Sequence, residues 1–334
     1  METLHFSFII PVYNRPNEIE ELLESFTMLE GGFKYEIVIV EDGSKDASEH
    51  VVAKFSKDLD ISYYVKENSG PGDSRNYGMQ RAEGNYFIVL DSDVILPPNY
   101  LLEVDAFLSK KFHHCFGGPD AAHESFSDLQ KAINFSMTSF LTTGGIRGGE
   151  KAPKDFEPRS FNLGLSKEAF NLTGGFGKIH PGEDPDLILR LRALGYKTTL
   201  IKSAFVYHKR RISWRKFYKQ VHKFGQVRPI LNKWHPSSKK LTYWFPTIFI
   251  LGLLFSICIV YSNVYYFLLL YGFYFFAVLC SAFFLTHNLK IAFMSLVAVC
   301  IQFFGYGYGF FNSSLKLMTS KKSAQEIFPK LFFK

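Results

Sequence analysis

Two hydrophobic periods alternate along the first two thirds of the chain. Short apolar runs at residues 6–10, 35–40, 61–66 and 87–90 have the length and the bounding turn residues of strands. Between them the period lengthens. Ile19, Leu22, Leu23, Phe26 and Leu29 share one face of a helix expected over residues 18–29, capped by Asn17 and stopped by Gly31-Gly32. Further helices are expected over residues 47–55 and 73–82. Strand and helix alternate throughout, which predicts an α/β domain with a parallel sheet covered on both faces. Farther on, residues 127–141 predict a helix and residues 161–165, 197–201 and 204–207 predict strands. Residues 185–194 predict a helix with Asp184 as cap, Pro185 as first residue and Gly195 as stop. The stretch 142–149 is rich in Gly and Thr and is expected to be mobile.

The last third follows a different pattern. Residues 244–261, 264–285 and 291–311 are apolar and nearly uncharged, and each approaches the ~20 residues a bilayer requires. Only Ser262-Asn263 separates the first two, which predicts a tight hairpin. Ahead of them, Trp214, Phe217, Tyr218, Val221 and Phe224 fall at helical spacing, with Arg215, Lys216, Lys219 and Lys223 in most of the remaining positions. That pattern fits a helix in the headgroup region or one packed on the preceding domain. The 334 residues divide accordingly into a soluble domain (1–208), a basic amphipathic segment (209–242), about three membrane helices (243–312) and a basic tail (313–334).

The formal charge is +7, and eleven Lys or Arg lie between Lys209 and Lys240. A basic block beside apolar spans points to an anionic membrane surface rather than to nucleic acid. It is expected to stay cytoplasmic, yet three crossings would carry Lys316, Lys321, Lys322, Lys330 and Lys334 to the other side. Of four cysteines, Cys115 is alone in the soluble part, whereas Cys258, Cys280 and Cys300 lie in apolar segments. They form neither a disulfide framework nor a zinc spacing, which fits a reducing cytosol. No basic n-region opens the chain, so a cleaved signal peptide is not expected.

Candidate chemistry gathers at the strand ends. Tyr13-Asn14, Glu41-Asp42, Asn68-Ser69 and Asp91-Ser92-Asp93 each follow a predicted strand, and in an α/β sheet those ends share the ligand-binding rim. Asp91 and Asp93 suit a hard divalent cation that shares oxygen ligands with phosphate; the alternative is a solvated turn. Gly70-Pro71-Gly72 leads into a helix whose N-terminus favours an anion, and Arg75 adds charge there. A second acidic cluster is His180-Pro181-Gly182-Glu183-Asp184-Pro185-Asp186.

Pro11-Val12-Tyr13-Asn14, Val40-Glu41-Asp42-Gly43-Ser44, Arg75-Asn76-Tyr77-Gly78 and Leu90-Asp91-Ser92-Asp93 resemble, in order and spacing, the family 2 glycosyltransferases of GT-A fold. The likeness extends over roughly residues 6–208, with one departure at Glu41, where the family often has Asp. The resemblance implies a Rossmann-like, mostly parallel sheet and an inverting, metal-dependent transfer from a nucleotide sugar, with UDP as the expected nucleotide. It assigns Pro11, Tyr13, Asp42, Gly70, Arg75 and Ser92 to the nucleotide-sugar site, with Asp42 accepting the imide N–H of uracil and Tyr13 beside the base. It assigns Asp91 and Asp93 to Mg²⁺ or Mn²⁺ against the donor diphosphate, Asp93 more directly, and His208 as a further ligand or else a surface residue. Asp184 matches the family's base for the acceptor hydroxyl, Glu183 is the weaker candidate, and Asn162 is expected on the acceptor side.

The implied partners are the donor, a lipid-linked or membrane-proximal glycan acceptor and the membrane, without nucleic acid. The implied location is the cytoplasmic membrane, with the catalytic domain facing the cytoplasm. Transfer onto polyprenyl phosphate is the alternative, since that acceptor is already an anion and needs a base less. A catalytically inactive membrane scaffold of the same fold is the alternative from another class.

Overall fold

Phe6–Val12 (β1) is an unbroken run buried on both faces, the pattern of a strand with helices on either side. In the computed structural model, which describes residues 3–121, 123, 125–144, 156–209, 213–262 and 264–333, β1 belongs to an α/β unit of Met1–His123, Glu150–Lys209 and Phe332–Lys334. The chain continues through α1 (Pro16–Thr27), β2 (Tyr35–Asp42), α2 (Glu49–Phe55), β3 (Ile61–Lys66), α3 (Pro71–Arg81) and β4 (Tyr86–Leu90). Next come β5 (Val94–Ile95), α4 (Tyr100–Lys110), β6 (Cys115–Gly117) and β7 (Asp120–Ala121). It leaves the unit for α5 (Asp128–Thr138) and α6 (Phe140–Thr143), then returns through β8 (Asn162–Ser166), α7 (Lys167–Thr173), α8 (Glu183–Ala193), β9 (Thr198–Leu200) and β10 (Val206–His208).

The main sheet has the order β3-β2-β1-β4-β8-β6-β9. It is parallel from β3 to β4, but β8 runs antiparallel to both β4 and β6. The sheet is mostly parallel, as expected, with β8 the one antiparallel strand among the described residues. β8 enters after an excursion out of the unit, so no crossover helix forces its direction. β2 and β4 flank β1 on opposite sides, which opens a crevice at the C-terminal ends of the strands. Phe8, Leu22, Phe26 and Tyr100 fill one face of the sheet, and Ile9, Val38, Met79 and Leu187 fill the other. A small second sheet, β5-β10-β7, pairs His208 with Val94 and so brings it beside Asp93.

Three local expectations change. α1 starts at Pro16 with Arg15 at the cap position, because proline's fixed φ suits the first turn, so Asn17 is already helical. α8 starts at Glu183 behind Gly182, whose φ of +120° only glycine adopts easily; Asp184 is therefore a first-turn residue rather than the cap. Asn162 is fully buried, accepting from Tyr100 Oη at 2.6 Å and donating to Ala204 O at 2.8 Å, so it braces the core instead of facing an acceptor. Of the stretch 142–149, residues 145–149 lie outside the described residues.

The second unit, Glu124–Gly149 with Arg210–Leu331, is helical. Besides α5 and α6 it holds α9 (Trp214–Trp234), α10 (Phe245–Ile259), α11 (Tyr266–Thr286) and α12 (Leu289–Thr319). Among the described residues three helices, Leu241–Ser262, Tyr266–Thr286 and Leu289–Thr319, are long and apolar enough to cross a membrane. The apolar face of α9 is spent inside this unit: Phe217 and Val221 are buried with Ile133 and Met137 of α5 and Ala298 of α12. The α9–α12 approach is close, because a Cβ on Gly225 would stand 2.2 Å from the Tyr306 carbonyl oxygen. Gly225→Ala must push two backbones apart and is expected to cost about 1–3 kcal/mol, read as a lower thermal midpoint of the detergent-solubilised chain. An unchanged midpoint would refute this packing.

Candidate active site

β4 ends at the crevice and releases Asp91, Ser92 and Asp93 before the chain turns into β5. One ligand atom each from Asp91, Asp93 and His208 lie within 4.8 Å of one another. His208 Nε2 is 3.3 Å from Asp93 Oδ1, and its ring stacks on Phe161 at 4.8 Å. Two carboxylates and one imidazole form a donor set that fits a divalent cation, and the nitrogen favours Mn²⁺ over Mg²⁺. The other Asp93 oxygen accepts from Arg15 Nη1 at 2.5 Å.

Arg75, the fifth residue of α3, is buried and forked between two acids. Nη2 donates to Asp91 Oδ1 at 2.7 Å and Nη1 to Glu183 Oε1 at 3.1 Å. His180 Nδ1 lies 3.0 Å from that same Glu183 oxygen. Burial works against the Glu183 charge, but His180 and Arg75 outweigh it and hold the carboxyl down to about 2. Asp184, the next residue, has a different environment. Burial pushes its carboxyl above the usual range, opposed by Arg159, whose Nη1 is 3.7 Å from Asp184 Oδ2. Adjacent residues on a helix point about 100° apart, so Glu183 is tied inward to Arg75 while Asp184 meets a separate cation.

At the end of β2 the Asp42 carboxylate accepts three hydrogen bonds. Oδ1 takes Lys66 Nζ at 2.7 Å and Ser69 N at 2.9 Å, and Oδ2 takes Gly70 N at 2.9 Å. The loop into α3 is thus pinned to β2, and Oδ2 keeps one lone-pair site. Pro11 is buried in β1, whereas Tyr13 is 52% exposed at its end. Ser92 is buried between the two acids. Glu41 serves structure: it accepts from Ser44 Oγ, from Ser48 N at 2.8 Å and from Tyr63 Oη at 2.9 Å.

The residues singled out from the sequence are therefore linked. Asp42 holds Gly70, Gly70 precedes α3, and Arg75 of α3 joins Asp91 to Glu183. Sequence reasoning missed the cations Arg15, Lys66 and Arg159 and the imidazole of His180. Arg15 directly follows Tyr13-Asn14, Lys66 closes β3 and His180 opens the second acidic cluster, so their positions at element ends were the available signal. Arg159 precedes β8 with no motif around it.

Residues 7–171 match the family model described as Glycosyl transferase family 2, about half of the chain. The chain carries a family 2 glycosyltransferase domain of GT-A fold. The match takes in Asp42, Arg75, Asp91 and Asp93 and stops before Asp184 and His208. An "Uncharacterized glycosyltransferase" of Rickettsia felis is 42% identical over 87 residues, covering 26% of this chain and 14% of that protein. The "Poly(ribitol-phosphate) beta-N-acetylglucosaminyltransferase TarS" of Staphylococcus aureus is 32% identical over 114 residues, covering 33% of this chain and 20% of that protein. The chain therefore matches a fifth or less of the length of these two relatives. The mannosyltransferase PcManGT of Pyrobaculum calidifontis, solved with GDP-Man and Mn²⁺, aligns with a TM-score of 0.57 over 95% of this chain and 88% of that one. At 14% identity that likeness is one of fold.

Removing the shared cation of this family 2 domain leaves two acids facing each other. Arg75→Ala is expected to cost roughly 3–5 kcal/mol, the usual penalty for breaking a buried ion pair, seen as loss of thermal stability. A variant as stable as the parent would show that Arg75 is not the keystone of this rim.

Proposed function

We propose that the protein is an inverting, metal-dependent glycosyltransferase that moves a sugar from a nucleotide sugar, with UDP as nucleotide, to a lipid-linked or membrane-proximal glycan. One observation carries this reading: a cation-competent set, Asp91, Asp93 and His208, shares the Arg75 network with the helix start that bears Asp184. The solved fold neighbour with GDP-Man and Mn²⁺ supports a nucleotide-sugar donor and a divalent ion. TarS supports sugar transfer by a chain of this family.

In this reading the last acceptor site on Asp42 takes the imide N–H of uracil, and Tyr13 lies beside the base. The backbone at Gly70 and the N-terminus of α3 face the diphosphate. A divalent cation held by Asp91, Asp93 and His208 would neutralise charge on the departing nucleoside diphosphate. Arg75 keeps Asp91 in place for that ion, with Glu183 as its anchor. Asp184 takes the proton of the acceptor hydroxyl as the oxygen attacks the anomeric carbon. Its raised pKa makes it a stronger base than an ordinary aspartate. That basicity favours a hydroxyl acceptor over a phosphate acceptor. The catalytic unit is assigned to the cytoplasmic face on the charge bias of the basic segment 209–242.

Asp93→Ala is expected to abolish transfer and Mn²⁺-dependent donor binding, measured by calorimetry with UDP-sugars. Ordinary metal-dependent binding in that variant would overturn the metal assignment. Asp184→Asn should bind donor normally and turn over at least about a hundredfold more slowly. In the parent, kcat should fall as pH drops through the raised pKa of Asp184, because the base is lost on protonation. The Asn variant should lack that acid limb. Unchanged turnover would leave Asp184 as a helix-start residue only.

A further inference from the structure

The α/β unit takes in Phe332 and Phe333, far along the chain from its other residues. We propose that Phe333 is a positioning residue for the donor: its ring is wedged against Gly70 and so keeps Asp42 aligned to read the base. This rests on the reading of Asp42 as the base-reading carboxylate.

The ring is fixed from behind. Phe332 bridges to Ile179 as an antiparallel pair, and Phe333 N donates to Lys178 O at 3.1 Å. The rings of Phe333 and His180 stand 5.7 Å apart, centroid to centroid, and are tilted by 54°, within the range of an aromatic pair. His180 is itself tied down, with Nδ1 3.0 Å from Glu183 Oε1, the oxygen that also accepts from Arg75. A ring with its own backbone paired and an anchored imidazole at its side has little room to withdraw.

In front of the ring stands Gly70. A Cβ built there would overlap Cγ, Cδ2 and Cε2 of Phe333, so the ring closes on bare backbone. Gly70 is engaged through both of its backbone polar groups. Its N–H donates to Asp42 Oδ2 at 2.9 Å, and its carbonyl accepts from Ser74 N at 3.0 Å. The preceding residue, Ser69, donates its N–H to Asp42 Oδ1 at 2.9 Å. A displacement of Gly70 therefore moves the donors to both oxygens of one carboxylate. With those two N–H groups held, the lone-pair site left on Oδ2 keeps its direction. The ring is what stops Gly70 from receding.

The surroundings of Phe333 fit this role better than one in the core. The side chain is half-buried, and beside Gly70 it borders a cavity of about 130 Å³ that Ser69, Asp73, Asn76 and Lys178 also line. A ring open to a cavity buries less apolar surface than the phenylalanines packed inside the sheet, so its loss leaves the sheet intact. Its contacts run to Gly70 and His180, whereas the groups assigned to the ion and to the acceptor are Asp91, Asp93, His208 and Asp184. Donor affinity is the quantity the ring controls, and the chemical step is left to those groups.

Calorimetry with UDP and Mn²⁺ on the detergent-solubilised full chain tests this, together with the steady-state kinetics. Phe333→Ala is expected to weaken UDP about tenfold and to raise the donor KM by the same factor, with kcat within about twofold of the parent. Phe333→Tyr keeps the ring and should bind UDP as the parent does. Phe333→Leu keeps apolar volume without the ring and should bind more weakly than Phe333→Tyr, which preserves the test if the alanine variant does not fold. Asp42→Ala should also weaken UDP, and the double variant Asp42→Ala/Phe333→Ala should bind no worse than Asp42→Ala alone, because the ring acts through that carboxylate. Unchanged or tighter UDP binding in Phe333→Ala, additive losses in the double variant, or a fall in kcat as large as the rise in KM would each overturn the proposal. Parent-like binding in Asp42→Ala would remove the base-reading assignment and the proposal with it. Parent-like binding in Phe333→Ala alone would remove only the role of the ring.

Discussion

Arg75 puts a permanent positive charge between acids that the fold forces together. Asp91 leaves β4 and Glu183 opens α8, and both meet the one guanidinium on α3. Carboxylates this close raise each other's pKa unless a cation intervenes. The remainder of the rim follows the same rule. Arg15 meets Asp93, Lys66 meets Asp42 and Arg159 stands near Asp184, each cation coming from a different element. The rim is acidic in character but locally compensated, and the paired cations hold its carboxylates in place.

Compensation is uneven, and that unevenness separates neighbouring residues by role. Glu183 has an imidazole and a guanidinium at one oxygen and is held strongly acidic; Asp184 has one more distant arginine and is pushed upward by burial. Environments that push the pKa values of two adjacent acids apart give one an electrostatic role and the other the capacity to take a proton. Helix geometry is the cause, because successive side chains leave the first turn in different directions.

The helical unit obeys a different constraint. α12 buries small and polar residues such as Ser295, Gly305, Gly309 and Ser313 along with Phe303 and Phe310, while Leu289, Phe293, Tyr308 and Met318 face outward. Small residues let helix backbones approach closely, which is how α9 reaches the Tyr306 carbonyl. The hydropathy of the last third marks apolar helices, but average hydropathy does not distinguish a residue facing lipid from one facing another helix. The basic face of α9 was legible from helical spacing; the partner covering its apolar face was not, since α5 and α12 lie about eighty residues away in either direction along the chain.

Local pattern alone determined the first strands and helices, the acids at their ends and the three apolar helices, because periodicity, turn residues and hydropathy act over a few neighbours. Those terms also misplaced the starts of α1 and α8 by two residues each, where Pro16 and Gly182 outweighed the expected caps. Tertiary structure decided the direction of β8, the inward position of Asn162, the pairing that sets His208 beside Asp93, and the rim cations Arg15, Lys66 and Arg159. Each of these joins residues distant in sequence. Short-range propensity has no term for such partners, and packing and charge pairing select them only once the sheet has formed.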